Sequence, residues 1–201
     1  MTGHYYSKTP DVQSDPKHWD YTLKGSVFRF KTDNGVFSKG DVDFGSRLLI
    51  ETFDKSEEIG DGTIVDVGCG YGPIGLAMAK YLPDRTVHMV DVNERAIALA
   101  KENAERNQIT NVQIYESDGL ENVKAEQVAY ILTNPPIRAG KDVVHKIYEQ
   151  SYHLLIDGGE LWVVIQKKQG APSSIDKLTT LFSEVETVDK KKGYFIIRAK
   201  K

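Results

Sequence analysis

The amino-acid sequence predicts an α/β fold in which a doubly wound, mostly parallel sheet carries helices on both faces. Three observations predict it. From residue 63 onward, short apolar runs alternate with segments whose apolar residues recur at helical spacing. Those runs are apolar at nearly every position, as strands covered on both sides are. A glycine-rich turn then joins the first run to its helix, the place where open α/β sheets bind ligands.

The first 44 residues read as an N-terminal arm with a short hairpin or lid. They lack sustained periodicity and hold the turn formers Pro10, Pro16, Gly25, Asp33-Asn34-Gly35 and Gly40. Ser26-Val-Phe-Arg-Phe-Lys31 alternates apolar with polar residues, and Asn34-Gly35 predicts a turn that returns it along Val36-Phe37. Residues 45–201 read as the main domain. Leu48, Leu49, Thr52 and Phe53 predict a helix that ends at Gly60-Asp61-Gly62. Thr63–Val67 is the first buried strand. Pro73 suits the opening of the next helix, because its missing N–H has no intrahelical partner there, and Ile74, Leu76, Ala77 and Ala79 continue it to Pro83.

Thr86–Asp91 is the next strand, and Asn93 caps a helix with Ile97, Ala100 and Ala104 on one face. Val112–Glu116 and Val128–Thr133 follow as strands. A helix carrying Val143, Val144, Ile147, Tyr148, Leu154 and Leu155 stops at Gly158-Gly159, and Leu161–Ile165 is the most apolar strand. A helix over 174–182 and strands over 184–189 and 193–199 complete the chain. The short Lys190-Lys191-Lys192-Gly193 link predicts that the last two strands form an antiparallel hairpin.

With 201 residues, 40% of them hydrophobic, the chain suits one compact domain with an extension. No apolar run approaches the roughly 18 residues of a membrane span, and residues 1–20 hold no apolar signal segment. The single cysteine, Cys69, excludes an internal disulfide and reads as a small packing residue, and the five histidines (4, 18, 88, 145 and 153) show no metal-ligand spacing. The expectation is a soluble, cytoplasmic protein without a metal. Charge is uneven: residues 190–201 hold six basic and no acidic groups, whereas residues 45–189 hold 14 basic and 23 acidic ones. A basic end on an acidic body suits a phosphate-rich partner, as it suits a solvated terminus.

The glycine-rich turn reads Asp66-Val-Gly68-Cys-Gly70-Tyr-Gly72-Pro-Ile-Gly75 and has two registers. Gly70-x-Gly72-x-x-Gly75 fits a dinucleotide fingerprint, as in an NAD-dependent oxidoreductase. Asp66-x-Gly68-x-Gly70-x-Gly72 fits a loop that admits a ligand with an ammonium and a carboxylate. Asp66 favours the second register, since it repels a pyrophosphate and attracts a cation. Pro73 also favours it, by removing an N–H on which a phosphate would rely. Asp91 stands about the right distance downstream for a carboxylate that holds both ribose hydroxyls. Asp118, in Ser117-Asp118-Gly119, can accept from an adenine amine.

The strand ending at Thr133 runs into Asn134-Pro135-Pro136. Two prolines stiffen the loop and leave carbonyls as acceptors. The Asn134 side-chain oxygen and the Pro135 carbonyl together suit an –NH₂ group with two donor hydrogens, whose lone pair is then aimed at an electrophile. No strong general base lies beside Asn134 in the sequence.

These motifs, in this order and spacing, resemble the class I S-adenosylmethionine-dependent methyltransferases over about residues 26–199. More narrowly, Gly35-Val-Phe-Ser-Lys-Gly-Asp-Val-Asp-Phe-Gly45 and Asn134-Pro-Pro-Ile-Arg-Ala-Gly-Lys141 resemble the small-subunit ribosomal RNA guanine-N2 methyltransferase family in its short, single-domain form. The resemblance implies a Rossmann-like, seven-stranded sheet with an antiparallel last strand. It implies that Gly68, Gly70 and Gly72 line the methionine part of S-adenosylmethionine, Asp91 its ribose and Asp118 its adenine. Phe37 and Ser38 then close over the site, and Asn134, Pro135 and Pro136 orient the target amine. Ile137 stands where many amine methyltransferases place an aromatic ring, so it packs on a base without a π-face. Arg138, Lys141, Lys167 and Lys168 are the phosphate-binding candidates, and the partner implied is RNA or a ribosomal particle. Glutamine-amide methylation of release factors and adenine-N6 methylation share the Asn-Pro-Pro chemistry. A non-catalytic RNA-binding module is the remaining alternative.

Overall fold

The computed structural model describes residues 8, 12–38 and 40–201; His4, Pro10 and Lys39, named above, lie outside the described residues. A two-stranded antiparallel hairpin, β1 (Lys17–Leu23) and β2 (Ser26–Thr32), precedes the main sheet. That sheet holds β3 (Thr63–Val67), β4 (Val87–Asp91), β5 (Val112–Glu116), β6 (Val128–Thr133), β7 (Leu155–Gln166), β8 (Glu184–Lys191) and β9 (Tyr194–Lys200). Its order is β5-β4-β3-β6-β7-β9-β8. The first five strands in that order pair in parallel, and β9 runs antiparallel to both neighbours. This is the Rossmann-like, doubly wound sheet that the sequence predicts.

Among the described residues five α-helices cover it: α1 (Phe44–Thr52), α2 (Pro73–Tyr81), α3 (Glu94–Arg106), α4 (Lys141–Leu154) and α5 (Ala171–Leu181). The central strands are apolar at most positions because each supplies side chains to two cores. On β6, Tyr130 and Leu132 join the core beneath α1, α2 and α3, whereas Ile131 joins the one beneath α4 and α5. Asn93 caps α3 as its spacing predicts, its side-chain oxygen accepting the N–H groups of Arg95 and Ala96.

The chain order places the functional loops. From β3 the strands step outward through β4 to β5, and the chain then returns to β6 on the other flank of β3. Val67 and Thr133, the last residues of β3 and β6, lie in register, and the Thr133 hydroxyl donates to the Val67 carbonyl at 2.9 Å. The glycine-rich turn and Asn134-Pro135-Pro136 therefore leave the sheet side by side.

Three boundaries differ from the sequence reading. The hairpin partner of Ser26–Thr32 is the upstream β1, not Val36-Phe37. Lys24 and Gly25, with φ of 46° and 76°, form the two-residue turn whose twist suits a hairpin. Helix α1 ends at Thr52 rather than near Gly60, because Phe53 turns away to bury its ring against Tyr130 and Trp162. Gly158-Gly159 stops no helix: α4 ends at Leu154 and β7 runs through both glycines.

The hairpin is tied to the domain by side-chain amides that imitate a neighbouring strand. Asn103 of α3 accepts the Lys31 N–H at 2.7 Å and donates to the Lys31 carbonyl at 2.9 Å. One helical turn later, Asn107 makes the same two bonds with Arg29, at 2.8 and 3.0 Å. Asn103 is fully buried and also donates to the Tyr71 carbonyl in the glycine-rich turn at 2.8 Å. Asn103→Ala leaves these backbone groups unpaired inside the protein. It is expected to lower stability by about 2–3 kcal/mol in urea unfolding, with a smaller loss for the half-buried Asn107→Ala.

Candidate active site

A pocket opens at the carboxyl ends of β3, β4 and β6, where the strand order reverses. Its walls come from the turn after β3 (Gly68, Cys69, Gly70), the end of β4 (Asp91), the loop after β6 (Asn134, Pro135, Pro136) and the segment before α1 (Phe37, Ser38, Asp43). Gly68 and Gly70 hold φ of 74° and 55°, and a Cβ on either would meet nothing within 4 Å. Their backbone thus presents a bare surface to the pocket.

The Asp91 carboxylate pins that turn. One oxygen accepts the Gly70 N–H and the other the Asn93 N–H, both at 2.9 Å. Each oxygen keeps a lone pair, so the group suits a vicinal diol. Burial raises its pKa, and the Asn93 and Gly70 N–H groups oppose the rise.

Asp66 sits beneath the turn and does not line the pocket. It is fully buried, and one oxygen accepts the Gly75 N–H at 2.7 Å while the other has no hydrogen-bond partner. Burial, with the Asp91 charge adding to it, pushes its carboxyl up to about 7. Cys69, also buried, has its thiol raised by the same desolvation and acts as packing beside the pocket.

Asn134 is fixed on the rim by two side-chain hydrogen bonds. Its amide nitrogen donates to Asp43 Oδ2 and to Ser46 Oγ, each at 3.0 Å. Both amide hydrogens are thus committed to the first turn of α1, and the amide oxygen remains to accept. Asp43 also caps α1, its Oδ2 accepting the Ser46 N–H at 3.1 Å. The Pro135 carbonyl already accepts the Ile137 N–H at 2.8 Å, which leaves it one lone pair.

Of the residues named from sequence, the pocket brings together Phe37, Ser38, Gly68, Gly70, Asp91, Asn134, Pro135 and Pro136. Asp66 and Gly72 stay outside it, supporting the turn and the start of α2. Asp118 is exposed beyond it, 4.0 Å from Lys146, while its neighbours Ser117 and Gly119 reach the wall. Ile137 and Lys141 line an adjoining hollow, and Arg138 lies in the same helical turn as Ile137. Lys167 and Lys168 are exposed in the turn after β7. Sequence reasoning missed Asp43 and Ser46. The available signal was Asp43 as an N-cap before an apolar helical run.

The pocket fits S-adenosylmethionine on its own terms: a bare glycine cradle, a diol-type carboxylate and an unpartnered buried carboxylate oxygen below. Among the described residues no group of three or more His, Cys, Asp or Glu side chains is arranged to hold a metal. No helix among them is long and apolar enough to cross a membrane. Fold and site together define a Rossmann-like methyltransferase, a class whose cofactor is S-adenosylmethionine.

The chain belongs to the methyltransferase small domain family, whose model matches residues 27–198. That membership sets aside the dinucleotide register of the glycine run. Among its relatives, the uncharacterized protein YbxB of Bacillus subtilis (strain 168) is 60% identical over the whole of both chains. Ribosomal RNA small subunit methyltransferase C of Vibrio cholerae is 29% identical over 95% of this chain and 55% of its own length. Among solved structures, the T. thermophilus 16S rRNA N2 G1207 methyltransferase (RsmC), in complex with AdoMet and guanosine, superimposes with a TM-score of 0.81. It shares 25% identity and covers 96% of this chain and 52% of its own. The chain thus spans about half the length of these two ribosomal RNA methyltransferases.

The buried Asp66 carboxyl generates a pH prediction. Its folded-state pKa is raised, so the folded protein holds this proton more tightly than the unfolded chain does. Its contribution to stability is therefore complete below about pH 4 and is lost as pH rises through about 7. Denaturant midpoints are expected to fall across that window in the wild type and to vary less in Asp66→Asn.

Proposed function

We propose that this protein transfers the methyl group of S-adenosylmethionine to the exocyclic N2 of a guanine in small-subunit ribosomal RNA. One observation carries the choice of guanine: the Asp43 carboxylate is hydrogen-bonded to the Asn134 amide on the pocket wall. The Asn134 oxygen and the second Asp43 oxygen are neighbouring acceptors. A guanine edge offers two neighbouring donors, N2–H and N1–H, and so matches them. At an adenine the amine stands beside the N1 lone pair, and in a glutamine amide beside a carbonyl oxygen. Either lone pair would face a carboxylate, which disfavours both alternatives. The guanosine-bound relative, with its N2 specificity, supports the same reading.

Bound S-adenosylmethionine supplies an electrophilic methyl on a sulfonium that departs as a neutral thioether. The protein's residues orient and polarise the acceptor. Asn134 and the free lone pair of the Pro135 carbonyl take the two N2 hydrogens, which aims the nitrogen lone pair across the pocket. Asp43 accepts a hydrogen bond from N1–H, and that polarisation raises electron density on N2. The N–C bond forms as the S–C bond breaks, with the bonding pair staying on sulfur, and one N2 proton then leaves to solvent. Phe37, exposed on the rim, offers the ring face that Ile137 lacks.

Tritiated S-adenosylmethionine, incubated with the protein and lysate fractions from a strain lacking it, tests the reading. Label recovered as N2-methylguanine in small-subunit RNA supports it; label in large-subunit RNA or in protein overturns the substrate assignment. Asn134→Ala is expected to abolish turnover while cofactor affinity stays within a few-fold. Asp43→Asn, which keeps the shape and removes the charge, is expected to lower kcat/KM by roughly 10- to 100-fold. Full activity in that variant would remove the carboxylate from guanine selection.

A further inference from the structure

The turns at the carboxyl ends of the last strands meet beside the pocket. Gln166, the end of β7, pairs with Tyr194, the start of β9, and the Lys167 N–H donates to the Gly193 carbonyl at 2.8 Å. The Tyr194 ring packs on Phe44 with centroids 5.4 Å apart. Phe44 directly follows Asp43, and Tyr194 presses on the next backbone unit. A Cβ on Gly45 would lie 2.7 Å from the tyrosine ring. The β8–β9 tip is therefore built against the same four-residue stretch, Asp43 to Ser46, that orients Asn134.

Cations gather on this aromatic pair. The Lys192 ammonium stands 5.0 Å and the Arg47 guanidinium 5.2 Å from the Phe44 ring centre. Lys191 is paired directly with Tyr194 and shares its sheet face, whereas Lys190 lies over Phe195, whose ring belongs to the opposite core. Lys167 and Lys168 occupy the adjoining turn. Lys167, Lys168, Lys191 and Lys192 are exposed, and among the described residues none of them has a carboxylate within ion-pair distance. Lys31, Lys146, Lys177 and Lys200 are paired, but Lys55, Lys80, Lys101 and Lys124 show no ion pair among the described residues either, so what sets the four apart is their gathering around Phe44 and Tyr194. The carboxylate on this tip, Asp189, is turned inward to the Thr52 hydroxyl and the Lys190 N–H.

We propose that this band is the docking surface for the RNA strand that flanks the target nucleotide. Lys191, Lys192, Arg47, Lys167 and Lys168 hold its phosphates, and the Phe44–Tyr194 pair supports a sugar or base. The inference rests on the proposed RNA substrate and names the surface that holds it. Unpaired cations interleaved with aromatic faces match a nucleic-acid backbone, and the band is continuous with the pocket wall through Asp43. It also gives the basic C-terminal segment a role other than a solvated end.

The test compares Lys167→Ala/Lys191→Ala/Lys192→Ala with a control, Lys55→Ala/Lys80→Ala, whose positions lie toward the opposite end of the sheet. The probe is small-subunit ribosomal RNA transcribed in vitro, bound at several salt concentrations, with S-adenosylmethionine affinity measured by calorimetry. The triple variant is expected to bind RNA roughly 10- to 100-fold more weakly at about 0.15 M salt. The slope of log affinity against log salt should fall by about 2, with cofactor affinity unchanged and the control close to wild type. RNA binding in the triple variant equal to that of the control overturns the docking surface while leaving the methylation reading intact. Methyl transfer by the wild type to protein rather than RNA overturns both.

Discussion

Parallel strands need crossover connections, so a parallel sheet sends successive loops out of the same edge. Where the chain stops stepping outward and returns across its starting strand, two loops diverge and leave a crevice between them. Here that constraint falls between β3 and β6, locked by the register of Val67 with Thr133 and the hydroxyl bond across it. The glycine cradle lies on one side of the crevice and the stiff Asn-Pro-Pro loop on the other. Each feature taken to bind cofactor or orient substrate is referenced to that pair of strand ends.

Polar groups in the interior hold the surrounding pieces to this frame. Asp91 joins the turn after β3 to the loop after β4 through two backbone N–H bonds. Asp43 joins the N-terminus of α1 to the loop after β6. Asn103 joins the hairpin, α3 and the glycine-rich turn. In each case a side chain satisfies backbone or amide groups in buried or half-buried positions, so removing it costs more than an exposed hydrogen bond would. Asp66 is the exception: it satisfies Gly75 with one oxygen and leaves the other unpaired, and burial, with the Asp91 charge adding to it, pushes its carboxyl toward neutrality. An unpaired acceptor beneath the cradle is the electrostatic environment that a cationic ligand would relieve.

Much of this was legible in the chain itself. Continuous apolar runs identified the buried strands, and Asn93 and Pro73 marked two helix starts, because capping and proline geometry are local properties. The places of Gly68, Gly70, Asp91 and Asn134-Pro135-Pro136 at the pocket were also legible, since each depends on a backbone conformation or a strand end that spacing reveals; that of Gly72 was not. The hairpin was not: Lys24-Gly25 carries a weaker turn signal than Asn34-Gly35, and the competing partner β1 holds His18, Asp20 and Thr22 on its exposed side.

What the sequence determined by itself was therefore the alternation of strands and helices, the class of pocket and the residues at its strand ends. Only the tertiary structure decided which of those residues face the pocket. It put Asp66 below the turn, left Asp118 outside, and brought Asp43 and Ser46 to Asn134 across 91 and 88 residues of chain. It also carried the terminal lysines to the rim beside Phe44. The physical reason is one of range: caps, turns and burial periodicity act over a few residues. The contacts that orient Asn134 and assemble the basic band exist only once β6, β7 and β9 lie side by side.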